Sequence, residues 1–137
     1  MSKEPIPSKL QNGDSESLRE RSFCRWVSRD LFQAIVDFSK STGLHSLYVE
    51  ASQEKGRRAI FWNPPASATY EVRSARTREQ FEEIHKRSCG SGRKLLSLHV
   101  SSENIYSAVW ISIEHYDTAA RHLDVFGIAP AQYSETT

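Results

Sequence analysis

The chain says one thing twice. Residues 44–62 read LHSLYVEASQEKGRRAIFW and residues 95–110 read LLSLHVSSENIYSAVW. Each runs Leu, a gap, Ser-Leu, a ring and Val, then a polar turn, then Ala, a β-branched residue and a ring. The correspondence extends upstream: Phe32-x-x-Ile35 recurs as Phe81-x-x-Ile84, Ser39 as Ser88 and Gly43 as Gly92, all at an offset of 49. Ser46-Leu47-x-Val49 recurs as Ser97-Leu98-x-Val100 at an offset of 51, which implies a two-residue insertion, Arg93-Lys94. Ala59-Ile60-Phe61 recurs as Ala108-Val109-Trp110 back at 49, so the second hairpin turn is expected to be two residues shorter. Self-similarity of this kind constrains the fold more than any motif does, because both copies must adopt one supersecondary unit and bury its apolar face.

Each copy decodes the same way. Ser28 and Thr77 stand four residues before their phenylalanines and can cap a helix, and Thr77-Arg78-Glu79-Gln80 is a capping box. Leu31, Phe32, Ile35 and Phe38, then Phe81, Ile84, Ser88 and Cys89, fall at helical spacing. Gly43 and Gly92 can supply the left-handed residue that stops each helix. Leu95, Ser97 and His99 alternate with Leu96, Leu98 and Val100 as in a strand, and a second strand closes on Tyr106–Trp110. Short strands at Phe23–Val27 and Thr69–Arg73 precede the helices. Pro130-Ala-Gln-Tyr133 matches Arg78-Glu-Gln-Phe81, with Pro at the first helical position.

The expectation is an α+β fold: two pseudo-equivalent β-α-β-β repeats forming one antiparallel sheet with the helices on one face. Repeat 1 covers about 22–66, repeat 2 about 67–117, and a truncated third repeat 118–137. Residues 111–133 hold Ile111, Ile113, Tyr116, Leu123, Val125, Phe126 and Ile128, too apolar for a free tail. They are expected to add a strand or a cover to repeat 2, with Tyr133 docking where Phe81 docks in its own unit. Residues 1–21 carry only Ile6, Leu10 and Leu18 as sizeable apolar groups and read as a disordered tail. The rest, 22–137, is one domain's worth of chain.

A net charge of +1 gives no global field toward nucleic acid or an anionic membrane. No apolar run approaches the ~20 residues of a membrane span, and MSKEPIPSKLQNGDSES lacks a secretory core. Cytoplasmic residence is the expectation, with secretion open to a chain whose signal has been removed. Cys24 and Cys89 are too few for a disulfide framework.

Thr77, Gln80, Phe81, Gly92 and the run Tyr106-Ser-Ala-Val-Trp110 resemble the bacterial tandem-repeat domain family that accompanies β-lactamase-like serine hydrolases. That family is related to the non-catalytic N-terminal repeats of fungal polyglycine hydrolases. Its pattern is a Thr-x-x-Gln-aromatic helix start, a helix-ending Gly, an alternating strand and Tyr-x-Ala-Val-Trp. The first copy departs from it, with Arg57 for the Tyr, Phe61 for the Trp, and Trp62 one residue late; Gln132 and Tyr133 match only the beginning. The resemblance implies a non-catalytic binding or accessory module, since the family's chemistry sits in an attached hydrolase domain.

Motifs for chemistry are weak beside this. Ser-x-x-Lys occurs at Ser52–Lys55 and Ser91–Lys94, but both fall in expected turns, where nothing would activate the lysine. Cys89-Gly-Ser-Gly-Arg93 lies at a helix C-terminus, where the dipole opposes a thiolate or a phosphate. His45, His85, His99, His115 and His122 contain no close ligand pair, so no metal and no cofactor is expected. Arg57, Arg58, Arg73, Arg76, Arg78, Lys86, Arg87, Arg93 and Lys94 could join aromatic rings in a surface for single-stranded nucleic acid, against the plainer reading of a solvated face.

The reading that results is non-catalytic recognition of a polypeptide, a glycan-like polymer or a protein partner. Trp62, Trp110, Tyr48, Tyr106 and His122 are the ligand-binding candidates, and no residue is assigned to catalysis. Two other classes compete: a small enzyme in the groove between the repeats, and the nucleic-acid binder, which the small net charge disfavours. A homodimer through an open sheet edge is a further option. The largest concave pocket discriminates: polar groups converging between the units point to an enzyme, exposed aromatics on the sheet to a binding module.

Overall fold

Capping starts both long helices where the sequence puts them. In the computed structural model, which describes residues 25–133, helix α1 spans Arg29–Ser41 and α2 spans Arg78–Gly90. The Ser28 hydroxyl accepts from the Leu31 amide at 3.2 Å. At α2 the box is complete: Gln80 N–H donates to the Thr77 hydroxyl at 3.1 Å, and Thr77 N–H donates to the Gln80 carbonyl oxygen at 3.0 Å. Gly43 and Gly92 follow the helices with φ of +85° and +86°. After α1 the Gly43 and Leu44 amides donate back to Lys40 and Ser39, the paired closure that a left-handed residue permits.

The strands are β1 (His45–Ser52), β2 (Gly56–Trp62), β3 (Tyr70–Arg76), β4 (Arg93–Val100) and β5 (Tyr106–Ser112). All pair antiparallel, in two sheets rather than the expected single one: β1-β2, and β3-β5-β4. Leu47, Val49, Ile60 and Trp62 of the first sheet share one core with Leu96, Val109 and Ile111 of the second, so the sheets are layers of a packed interior. The Ser97 hydroxyl ties them, donating to the Leu47 carbonyl at 2.8 Å. Helix α1 packs on β1 and β2, whereas α2 packs on β3, β4 and β5. One sheet with helices on one face is therefore corrected to two sheets, each with its own helix. Beneath α2 a second cluster holds Phe81, Ile84, Leu95, Ala108 and Trp110.

Strand register corrects the alignment as well. In β1-β2, Ser46 faces Phe61, Leu47 is bulged past, and Tyr48 and Val49 face Ile60 and Ala59. In β4-β5, Leu95 faces Trp110, Leu96 is bulged past, and Ser97 and Leu98 face Val109 and Ala108. Ser97 thus holds the place of Tyr48, not of Ser46, and neither a two-residue insertion at Arg93-Lys94 nor a shorter second hairpin exists. Side chains alternate with a period of two, so a slip of two residues leaves every face correct and escapes a pattern search.

The tail after β5 covers the core, but with a helix instead of a strand. A 3₁₀ turn, Ile113–His115, leads into α3, Tyr116–Val125, which buries Ala119 and Leu123; Ile128 follows them into the core. Residues 130–133 are not helical, so Pro130 does not stand at the first position of a helix as expected. Tyr133 instead sets its ring edge-on to Phe81 at 5.0 Å, and its hydroxyl donates to Glu82 at 2.7 Å. Ala131 N–H donates to the Leu96 carbonyl. The strand expected at Phe23–Val27 is described only from Arg25 on, where Val27 forms a single bridge with Arg57. The N-terminal tail 1–21, Phe23, Cys24 and residues 134–137 lie outside the described residues.

Candidate functional site

The five aromatic candidates do not assemble. Trp110 is fully buried and its indole N–H donates to His85 Nδ1 at 3.0 Å. Tyr48 is buried, its hydroxyl donating to Glu50 at 3.0 Å. Trp62 is buried beneath exposed His122, ring centroids 4.8 Å apart. Tyr106 is half-buried and stacks on Phe81 at 5.3 Å. The four Trp and Tyr rings are core packing divided between the two clusters, not a stacking surface on a sheet, and only His122 is exposed. The Ser52 hydroxyl accepts from the Glu54 and Lys55 amides, an ordinary turn contact.

A different set of residues converges. A cavity of about 780 Å³ lies between α1, β2 and β3. Helix α1 presents Arg29, Phe32, Gln33, Val36 and Lys40 to it, at intervals that keep one helical face. Strand β2 contributes Arg57 and Phe61, β3 contributes every residue from Tyr70 to Arg76, and Arg93 adds a sixth cation. Phe32, Val36, Phe61 and Val72 are the larger apolar residues of its lining apart from Leu44.

Charge in this groove is one-sided. Its one carboxylate, Glu71, is already held by Arg73 at 2.7 Å and Arg87 at 3.3 Å. Among the described residues no carboxylate lies within ion-pair distance of Arg29, Arg57, Arg76 or Arg93. Burial, then repulsion from Arg29 and Arg76, holds the Arg57 guanidinium below its usual range, so three cations crowd one end. At the other end His45 stacks on Tyr70 with centroids 4.4 Å apart, and burial and Lys40 depress its pKa. Burial raises the Tyr70 phenol to about 12. Arg76 Nε, Arg93 Nε and the Tyr70 hydroxyl are buried without a hydrogen-bond partner, and all three residues line the cavity. A ligand rich in anionic acceptors fits such a lining, since each orphaned donor costs free energy that an acceptor recovers.

Of the nine basic residues grouped from sequence, Arg57, Arg73, Arg76 and Arg93 enter the groove. Arg58 instead pairs with Glu50 at 2.8 Å, Arg78 with Glu82 at 3.2 Å, Arg87 with Glu71, and Lys94 sits over the Tyr116 ring. Arg29, Lys40, His45 and Tyr70 were not singled out for binding. The available signal was the polar stripe Arg29, Gln33, Lys40 running along a helix otherwise read only for its apolar side. Among the described residues no group of three or more His, Cys, Asp or Glu could hold a metal ion, and no helix is long and apolar enough to cross a membrane. No family model, no curated protein and no solved structure matches this chain.

Proposed function

We propose that the protein is a non-catalytic recognition module that binds an anionic ligand, borne by a polymer or protein partner, in the groove between α1 and β3. The observation that carries this is the gathering of Arg29, Arg57, Arg73, Arg76, Arg93 and Lys40 around a single, already neutralised carboxylate. The groove does hold converging polar groups, the feature expected of an enzyme. They are cations, however, and the one carboxylate among them, Glu71, is already engaged by the Arg73 and Arg87 guanidiniums. The nucleic-acid reading gains the four arginines and loses its stacking platform, because Tyr48 and Trp110 are buried.

The groove lies between two α-β-β segments, and we infer that these derive from one duplicated unit. Supporting this are the matching bulges at Leu47 and Leu96, the matching glycines, and the matching pairings Val27–Arg57 and Arg76–Tyr106. An accessory role of the kind the resembled repeat family implies would suit such a module.

Inorganic tripolyphosphate is the direct probe. Binding to the folded state alone raises the melting temperature, so millimolar tripolyphosphate should stabilise the chain, less so at high salt. Arg57→Gln should cut the affinity at least about tenfold, since a charge-assisted contact contributes ~1.5–3 kcal/mol. No stabilisation of the wild-type chain, or equal stabilisation of the variant, overturns the proposal.

A further inference from the structure

Strand β3 faces the groove in an unusual way. A strand that turns one face to a cavity lines it with alternate residues, because successive side chains point to opposite sides. Here all seven residues from Tyr70 to Arg76 line it without a gap, as a strand does when it presents its edge. Sheet order agrees, for β3 is the outer strand of β3-β5-β4.

Hydrogen-bond parity shows which backbone groups are free. The Thr69 carbonyl accepts from Ser112 N–H at 3.0 Å, and Glu71 and Arg73 stand opposite Trp110 and Ala108. Odd-numbered residues therefore bond to β5, and the N–H and C=O groups of Tyr70 and Val72 point away from it. The Val72 carbonyl confirms the parity: it accepts from the Arg73 guanidinium at 3.0 Å, not from a strand. The other sheet edge differs, since Leu96 of β4 is covered by its bond from Ala131.

The opposite wall sets the chemistry of an occupant. From Arg29 to Lys40 the face of α1 runs ~16 Å, about the length of five extended residues. Cations stand at both ends of that wall, and Arg57 stands between α1 and β3 at one of them.

We propose that the groove takes an acidic polypeptide in extended conformation, which adds as a strand to the free edge of β3 and places its carboxylates against Arg29, Arg57 and Arg76. The proposal rests on the anion-binding reading of the same groove and narrows it to one ligand class. Main-chain bonds to Tyr70 and Val72 provide affinity, while the cations select for Asp and Glu. The Arg73 guanidinium that now closes the Val72 carbonyl swings to an incoming carboxylate when the strand arrives. A second copy of this chain is a poor occupant, because a two-fold pairing of β3 edges would bring two copies of the same cation-lined groove together.

The test compares three probes on the wild-type chain by fluorescence anisotropy or competition: a six-residue glutamate peptide, the same peptide N-methylated at alternate amides, and tripolyphosphate. The unmodified peptide should bind at least about tenfold tighter than the methylated one, weaken with salt, and slow amide exchange at Tyr70 and Val72. Tripolyphosphate binding with both peptides failing, or with the peptides equal, overturns strand addition and leaves the anion site standing. Failure of all three probes removes both. A thymidine hexanucleotide is a fourth probe run beside these three, and its tighter binding than either peptide overturns the inference in favour of single-stranded nucleic acid.

Discussion

Removing the Phe81 ring tests the core beneath α2 most directly. Phe81 is 1% exposed and meets four other rings: Tyr106 at 5.3 Å, Trp110 and His85 at 5.7 Å, and Tyr133 edge-on at 5.0 Å. Those rings come from β5, from α2 itself and from the C-terminal segment, so no single shift of one element refills the space. Trp110 is further fixed by its indole bond to His85. Phe→Ala truncations cost ~3–5 kcal/mol, and a cavity whose walls cannot collapse belongs near the top of that range, about 4 kcal/mol. For a domain of this size each kcal/mol moves the melting temperature by about 3–5 °C, which predicts a fall of roughly 12–20 °C. The assay is a thermal melt followed by circular dichroism, with the urea midpoint as a second measure. Phe38→Ala is the control: that ring is 69% exposed on α1, and its loss should stay within ~0.5 kcal/mol. A fall of only a degree or two for Phe81→Ala, or equal falls for both variants, would refute the reasoning.

Arg58→Ala breaks the ion pair with Glu50, whose side chains are each 9% exposed, and should cost ~3–5 kcal/mol by chemical denaturation. A loss under 1 kcal/mol would mean the pair is effectively solvated. Gly56→Ala should cost at least ~1 kcal/mol and expose the Val27 and Arg57 amides to exchange, because φ is +101° and a Cβ would collide with the Val27 carbonyl oxygen. His45 should titrate below 6.5 by NMR, and Lys40→Met should raise its pKa. A histidine held neutral in this way contributes stability above its unfolded value and loses it as pH falls through the lower folded value, so acid-side stability should improve in the Lys40 variant. A chain ending at Glu114 lacks Ala119, Leu123 and Ile128 and should aggregate or melt, whereas a soluble, folded monomer by light scattering would show the cover to be dispensable.

Element types were legible because local chemistry specifies them. Ser28 and Thr77 have no comparable substitute at those helix starts, and the glycines end the helices with the φ that only glycine adopts freely. What escaped was whatever depends on partner choice. Alternation says which side chains share a face, but not whether two hairpins join edge to edge or pack face to face. The bulges at Leu47 and Leu96 bear on this, since each turns an apolar side chain to the inter-sheet core, and a bulge has no reliable signature in one sequence. Helix α3 was missed because its apolar residues were read only as a strand or cover for the segment before it.

The groove shows why bulk charge was a weak guide to local charge. A net charge of +1 averages over a chain whose acids and bases are not mixed evenly in space. Glu50, Glu71 and Glu82 are each paired within the fold, and they use Arg58, Arg73, Arg87 and Arg78 to do so. The cations outside those pairs are brought together by tertiary structure alone: Arg29 from a helix start, Arg57 from a hairpin, Arg76 from the end of an edge strand. Burial first, and then their mutual repulsion, depress Arg57, a cost that folding tolerates. Residues selected for stability alone would place a carboxylate among them, and the Val27–Arg57 bridge, which fixes Arg57 beside Arg29, makes the cluster a consequence of backbone pairing instead of side-chain chance.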